Sequence, residues 1–87
     1  MRKLYREILK KWFQNKLLHY RCVSYVTQSN MAEKLAMDER SYIDLEHGKS
    51  CCSAVTLALF LTLCSENPIG LLRELRSAFE AGIYEAA

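Results

Sequence analysis

The chain has few of the residues that interrupt helices and no pattern typical of strands. Its 87 residues include one proline and three glycines, and no segment alternates apolar and polar residues as a half-buried strand does. An apolar fraction of 51% and a charged fraction of 25% exclude a disordered tail. These features together predict an all-α domain with short connections.

The sequence also lacks a long apolar run and a secretory signal. The most apolar stretch, from Ala54 to Cys64, has eleven residues, whereas a membrane-crossing helix needs about twenty. It is therefore predicted to be a buried helix. Residues 1–12 contain five basic residues and no apolar signal core. We expect a cytoplasmic protein with no membrane partner.

Residues that carry catalysis are scarce. His19 and His47 are the only histidines, and the local spacing places no nucleophile beside either of them. The sequence has no glycine-rich phosphate loop, no carboxylate pair and no metal motif. We therefore expect no enzymatic activity, no catalytic residue, no metal, no cofactor and no small-molecule ligand.

Four cysteines leave more than one interpretation open. Adjacent Cys51 and Cys52 would form a strained mutual disulfide, and we expect all four to be reduced thiols. A zinc site formed by Cys51, Cys52, Cys64 and a histidine is less favoured, because no C-x-x-C spacing is present. Redox sensing by Cys51 and Cys52 stays possible, although nothing in the sequence indicates a lowered thiol pKa.

Charge is distributed unevenly along the chain. Residues 1–21 contain seven basic residues and Glu7, which gives +6, and residues 22–87 contain five basic and nine acidic residues, which gives −4. A basic first helix suggests an anionic partner, most simply phosphate. The alternative is an ordinary solvated helix face.

Apolar spacing and capping residues predict five helices, over residues 3–24, about 28–35, about 39–46, about 54–65 and 68 to about 84. Thr27, Asp38 and Ser53 are suitable N-caps for the middle three. Asn67 and Pro68 are a strong start signal for the last. Gly48 is expected to end the third helix.

The first helix is predicted to carry two apolar columns. One consists of Leu4, Ile8 and Trp12. The other runs through Leu9, Phe13, Leu17 and Tyr20. One column can face the body of the domain, and the other needs a separate cover. That cover is either the C-terminal helix or a second subunit.

Two short helices separated by Ala36 and Met37 form the most informative segment, residues 27–53. Thr27-Gln28 opens the first of them, Glu46-His47-Gly48 ends the second, and Ser53, Leu57 and Phe60 follow. This segment resembles the helix-turn-helix of the Cro/phage-repressor (XRE-type) family, over roughly residues 17–64. The resemblance implies one lambda-repressor-like domain of five helices over residues 1–87, with an extended N-terminal helix and the motif at about 28–46.

The resemblance also implies a function and its residues. It implies a transcriptional regulator that binds a palindromic operator in the double-stranded DNA major groove as a homodimer. It further implies an ion pair between Arg21 and Glu46. The residues expected to contact DNA are Gln28, Ser29, Glu39, Arg40, Ile43, Asp44, His47, Lys49 and Ser50.

Three features of the motif depart from the family pattern. Residues 28–49 have a net charge of −2, Ala36 stands where the family prefers glycine, and Tyr42 replaces a branched aliphatic residue. A positive φ at Ala36 would strain an alanine. An acidic surface also suits a protein partner, so the alternative is an interaction module on the same fold that binds another regulator.

Overall fold

The computed structural model describes residues 1–86, which form five α-helices and no strand. The predicted all-α architecture of five helices with an extended N-terminal helix is confirmed. No helix in this range is both long and apolar enough to cross a membrane. The helices are α1 (Arg2–Ser24), α2 (Gln28–Lys34), α3 (Glu39–Glu46), α4 (Ala54–Leu59, continued by a π-helical turn, Phe60–Cys64) and α5 (Pro68–Ala86).

Side-chain caps set the starts of the last four helices. The predicted N-caps Thr27, Asp38 and Ser53 are confirmed, since each side chain accepts a backbone N–H bond three residues later. The Asn67 side chain does the same at the start of α5, at 3.0 Å. Each cap satisfies one of the N–H groups that a helix start leaves without a partner. The capped N–H groups belong to Asn30, Ser41, Thr56 and Gly70.

Helix α5 packs against the first apolar column of α1, the one that runs from Leu4 to Trp12. Phe13 and Leu17 face the core and are fully buried. On the neighbouring face, the ring of Tyr5 meets that of Phe79 edge-on, with centroids 5.1 Å apart. An added Cβ at Gly82 would lie 2.3 Å from Cδ1 of Ile8, so the two helices approach closely there. The cover is intramolecular, and this part of α1 is not available to a second subunit.

The fourth helix is not the regular helix predicted over residues 54–65. Its second half is a π-turn in which the N–H of Ser65 bonds the carbonyl of Phe60 at 3.1 Å. The Thr62 hydroxyl donates to the Ala58 carbonyl at 2.8 Å, a back-bond that bends helices. The wider turn still buries Phe60 and Cys64 as the apolar spacing predicts.

Candidate nucleic-acid interface

Helices α2 and α3 pack against each other through the apolar residues between them. Met31 and Leu35 of α2 and Tyr42 and Leu45 of α3 are buried. Ala32, a small residue of α2, is also buried. The inner face of α3 is therefore held in the core, and its opposite face meets solvent.

Backbone hydrogen bonds fix the turn between α2 and α3. The N–H of Met37 bonds the carbonyl of Ala32 at 3.0 Å, and the N–H of Ala36 bonds that of Glu33 at 3.1 Å. Ala36 adopts a φ of 54°, the left-handed conformation that the family pattern assigns to glycine. An alanine in this conformation costs about 1–2 kcal/mol. The turn therefore stores strain that the packing of the two helices offsets.

A buried ion pair ties α1 to the end of α3. Arg21 meets Glu46 through two hydrogen bonds, Nε to Oε2 at 2.8 Å and Nη2 to Oε1 at 2.6 Å. Glu46 is 2% exposed, whereas the side chain of Arg21 is 28% exposed. Nε2 of Gln28, the first residue of α2, donates to Oε1 of Glu46 at 3.2 Å. The ion pair implied by the family resemblance is present, and it links three helices.

Burial and ion pairing together set the pKa values of Glu46, Arg21 and Tyr42. Burial alone would raise the pKa of Glu46, but the hydrogen bonds from Arg21 and Gln28, together with the nearby Tyr42 hydroxyl, outweigh it and the pKa is lowered. The hydrogen bond to Glu46 is the main reason that the pKa of Arg21 is raised. Burial, and then proximity to Glu46, raises the pKa of Tyr42. Its hydroxyl lies beside Glu46, yet no group within residues 1–86 meets it with good hydrogen-bond geometry.

The outer face of α3 presents most of the residues expected to read DNA. The Arg40 side chain is 85% exposed and lies 3.9 Å from the carboxylate of Asp44, too far for a strong bond. Ile43, Asp44 and Gln28 are half-buried, so they are less available than the sequence suggested. The exposed members of the predicted set are Ser29, Glu39, Arg40, His47, Lys49 and Ser50.

The Arg21–Glu46 ion pair makes the surface around α3 less negatively charged than the sequence suggests. The net charge of −2 over residues 28–49 includes Glu46, which is buried and neutralised by Arg21. The remaining groups are three basic and four acidic, which gives −1. Asp38 uses both carboxylate oxygens on Ser41, at the N-terminus of α3. The surface that a ligand meets is therefore close to neutral.

The loop after α3 is held against α1. Gly48 has a φ of 73°, and an added Cβ would lie 2.7 Å from Oε1 of Gln14. The N–H of Lys49 bonds the carbonyl of Asp44 at 2.8 Å. Further along, the Sγ of Cys51 lies 3.9 Å from the carbonyl oxygen of Arg6. The loop carrying Lys49 and Ser50 thus lies beside the basic N-terminal half of α1.

The sequence analysis assigns no structural contact to two glutamines of the site. Gln14 packs on Gly48 and Gln28 bonds Glu46, although Gln28 had been expected to meet DNA. A signal for Gln14 exists, because it precedes Arg21 by seven residues and so lies on the same face of α1. Nothing local in the sequence indicates which partner the Gln28 amide takes.

A cavity of about 480 Å³ lies away from this surface, between α1, the π-turn and α5. Tyr20 and Phe60 form apolar walls, and the ion-paired Lys16 and Glu74 stand at its edge. Among the described residues, no three His, Cys, Asp or Glu side chains are grouped so that they could hold a metal ion. The cavity therefore offers an open, mostly apolar groove and no metal centre.

None of the four cysteines forms a disulfide. Cys22 is exposed, Cys51 and Cys52 are half-buried, and Cys64 is buried. Burial raises the pKa of Cys64, and raises that of Cys52 to about 12 with a smaller contribution from Cys51.

No protein-family model matches the chain, and neither a curated protein nor a solved structure shows significant similarity to it.

Proposed function

We propose that this chain is a sequence-specific DNA-binding transcriptional regulator of the Cro/phage-repressor type, with α3 in the major groove. The observation that carries the proposal is the placement of α3. Its inner face is buried against α2, its end is tied to α1 by the Arg21–Glu46 pair, and its outer face is exposed. A helix held in this way can present side chains to base edges without rearranging.

Base reading falls to the exposed face of α3. Arg40 can donate two bonds to the O6 and N7 atoms of guanine, the commonest specific contact. Glu39 or Asp44 can accept from the amino group of cytosine, and Ile43 can touch a thymine methyl group. His47 lies at the C-terminal end of the same face. Its exposure leaves it able to approach a neighbouring base or phosphate.

Phosphate attraction has to come from groups outside α3, because the surface around α3 is close to neutral. The proposed phosphate contacts are Ser29 at the start of α2 and Lys49 and Ser50 after α3, which are exposed, whereas the Gln28 amide is already bonded to Glu46. The Cys51–Arg6 contact brings the basic half of α1 beside that loop. Arg2, Lys3, Arg6 and Lys11 are exposed and make no ion pair within residues 1–86.

A homodimer on a palindromic site completes the proposal. Two copies related by a twofold axis would place two α3 helices in half-sites about 34 Å apart. The apolar column of α1 is covered by α5, so it cannot form this contact. Ile69 and Leu72 on α5 are exposed apolar residues that remain available for it.

The second candidate function is a protein-interaction module on the same fold. The net charge of −1 on the exposed surface favours it, because DNA binders draw much of their affinity from phosphates. A basic partner, such as another regulator, would suit this surface. The two functions differ in salt dependence, since DNA binding weakens in proportion to the number of phosphates neutralised.

The test is selection of binding sites from a random duplex pool, repeated at low and high salt. We expect a palindrome to be enriched and its affinity to fall steeply with salt. Changing Arg40→Ala should cost about 1–3 kcal/mol of discrimination at one base pair in each half-site. Lys34→Ala is the matched control, because Lys34 is also an exposed cation of the motif and is not among the residues expected to contact DNA.

Three outcomes decide between the two functions. Enrichment that Arg40→Ala relaxes and Lys34→Ala leaves intact supports DNA reading by α3. Enrichment that is equally insensitive to both changes would remove α3 from the reading role. The absence of any salt-sensitive duplex binding would reject DNA binding and leave the interaction module.

A further inference from the structure

Two adjacent thiols lie in the loop that joins α3 to α4. Cys51 and Cys52 are both half-buried and not bonded to each other. The Cys51 thiol donates weakly to the Arg6 carbonyl on α1, and Cys52 packs against the hydrophobic core. Consecutive Cα atoms are about 3.8 Å apart across a trans peptide, so the two side chains start within reach of one bridging atom. The pair is thus a local dithiol in the loop between α3 and α4.

We propose that Cys51 and Cys52 together form a chelating site for trivalent arsenic. A soft, thiophilic atom prefers sulfur ligands, and an aryl-arsenic(III) centre needs only two of them. The described part of the chain brings no third His, Cys, Asp or Glu to the pair, whereas structural zinc takes four protein ligands. The ligand set therefore matches an atom that two sulfurs satisfy.

The binding step balances without an oxidant. With phenylarsine oxide, the two S–H groups and one As=O group give two As–S bonds and one water molecule. Each sulfur loses a proton, the arsenic-bound oxygen takes both protons and leaves as water, and arsenic remains trivalent. No electron is transferred, so the structure needs no redox partner for this reaction.

Oxidation to a disulfide fits the pair less well. A disulfide between adjacent cysteines is strained, and peroxides attack thiolates rather than thiols. Burial raises the pKa of Cys52 to about 12, which keeps its thiol protonated at neutral pH. Arsenic accepts the sulfur as its own oxygen takes up the proton, and the bridging atom spreads the two sulfurs apart.

Arsenic binding at Cys51 and Cys52 should change the conformation of the loop that is proposed to contact DNA. Lys49 and Ser50 precede the pair, and Ser53, which follows it, caps α4. A bridge between the two sulfurs joins the side chain that packs on the core to the one that contacts Arg6. We expect this constraint to shift the loop that carries Lys49 and Ser50. This regulatory consequence rests on the proposed DNA-binding function, whereas the arsenic site itself does not.

Phenylarsine oxide and intact-protein mass spectrometry test the site. We expect one adduct per chain that survives an excess of 2-mercaptoethanol and is released by 2,3-dimercaptopropanol. The second As–S bond forms within the molecule, so the native protein should retain the arsenical about 10²–10⁴-fold more tightly than a single-thiol variant. Cys51→Ser and, separately, Cys52→Ala should lose the resistant adduct.

Controls within the chain separate chelation from ordinary thiol reactivity. Cys22→Ser removes the exposed lone thiol and should leave the resistant adduct in place. Cys52→Ala guards against a folding defect, since alanine keeps an apolar side chain against the core, and circular dichroism should match that of the native protein. A resistant adduct that persists in Cys51→Ser, or its absence from the native protein, overturns the proposal.

A second measurement monitors the affinity for DNA. If the selected duplex binds, the arsenical should weaken it at least tenfold in the native protein and leave Cys51→Ser unaffected. Unchanged DNA affinity alongside a resistant adduct would refute the regulatory part alone. Failure of all duplex binding would bear on the proposed function and leave the mass measurement of the site intact.

Discussion

Removing Arg21 tests the link between α1 and α3 most directly. The change Arg21→Met keeps much of the apolar stem and deletes the guanidinium. Glu46 is then left 2% exposed with only the Gln28 amide, and the nearby Tyr42 hydroxyl, to offset its charge. We expect the folded state to lose stability because a buried carboxylate has lost its counter-charge.

The size of the effect follows from burial. Breaking a fully buried ion pair by deleting one partner costs about 3–5 kcal/mol. Since the side chain of Arg21 is 28% exposed, water can partly replace it, and we expect about 2–3 kcal/mol. For a domain of this size, each kcal/mol lowers Tm by about 4–8 °C, so the variant should melt roughly 10–20 °C lower.

The pH dependence has opposite signs in the two proteins. In the native protein the pKa of Glu46 is lowered, so its pair stabilises the fold above the unfolded carboxyl pKa and is lost as pH falls through the folded one. Without Arg21, burial dominates and the pKa of Glu46 should be raised. Protonation then relieves the buried charge, so the stability gap between the two proteins should shrink as pH falls from 7 toward about 4.

Urea unfolding at pH 7 and pH 4 measures both effects. Arg76→Met is the control, because Arg76 is 82% exposed and its loss should cost less than about 0.5 kcal/mol. Replacing both partners, Arg21→Met with Glu46→Leu, should recover much of the loss, since an apolar pair can take the place of a buried ion pair. A cost for Arg21→Met no larger than that of Arg76→Met, or one that does not change with pH, would refute the reasoning.

Two further predictions concern the backbone around the motif. Ala36→Gly should raise the free energy of unfolding by roughly 0.5–1 kcal/mol, because glycine relieves the strain at φ 54°. The control is Ala58→Gly at an exposed helical position, which should lower the free energy of unfolding by a similar amount. If urea unfolding shows that both variants change stability in the same direction, this account is wrong. Thr27→Ala should cost about 1 kcal/mol by removing the cap on Asn30, whereas Thr27→Ser should restore it in thermal melts.

Local signals in the sequence were enough to define most of the helices. The caps at Thr27, Asp38 and Ser53 were correct, because a short polar side chain before an apolar repeat has one main use at a helix start. The ends of α3 matched the prediction, with Glu39 first and Glu46 last. The Arg21–Glu46 pair required the family resemblance, since nothing local relates residues 25 positions apart.

Features that depend on three-dimensional packing were harder to predict. The π-turn at Phe60–Cys64 keeps the same buried residues as a regular helix would, so apolar spacing cannot reveal it. Whether α5 or a second subunit covers Ile8 and Trp12 depends on where α5 docks, which periodicity leaves open. The half-burial of Ile43 and Asp44 likewise reflects the neighbours of α3 and not its own sequence.

The acidic character of the motif and the basic character of α1 are connected through the structure. Pairing with Arg21 removes the buried Glu46 from the charge that a ligand meets, and the Cys51–Arg6 contact sets the basic turns of α1 beside Lys49 and Ser50. If α1 and the loop after α3 supply the phosphate contacts, acidic groups on α3 are compatible with DNA binding. Those acidic groups would then select among bases instead of supplying affinity. If the chain binds DNA as proposed, the salt dependence of that binding should respond to charges on α1, and its base preference should respond to charges on α3.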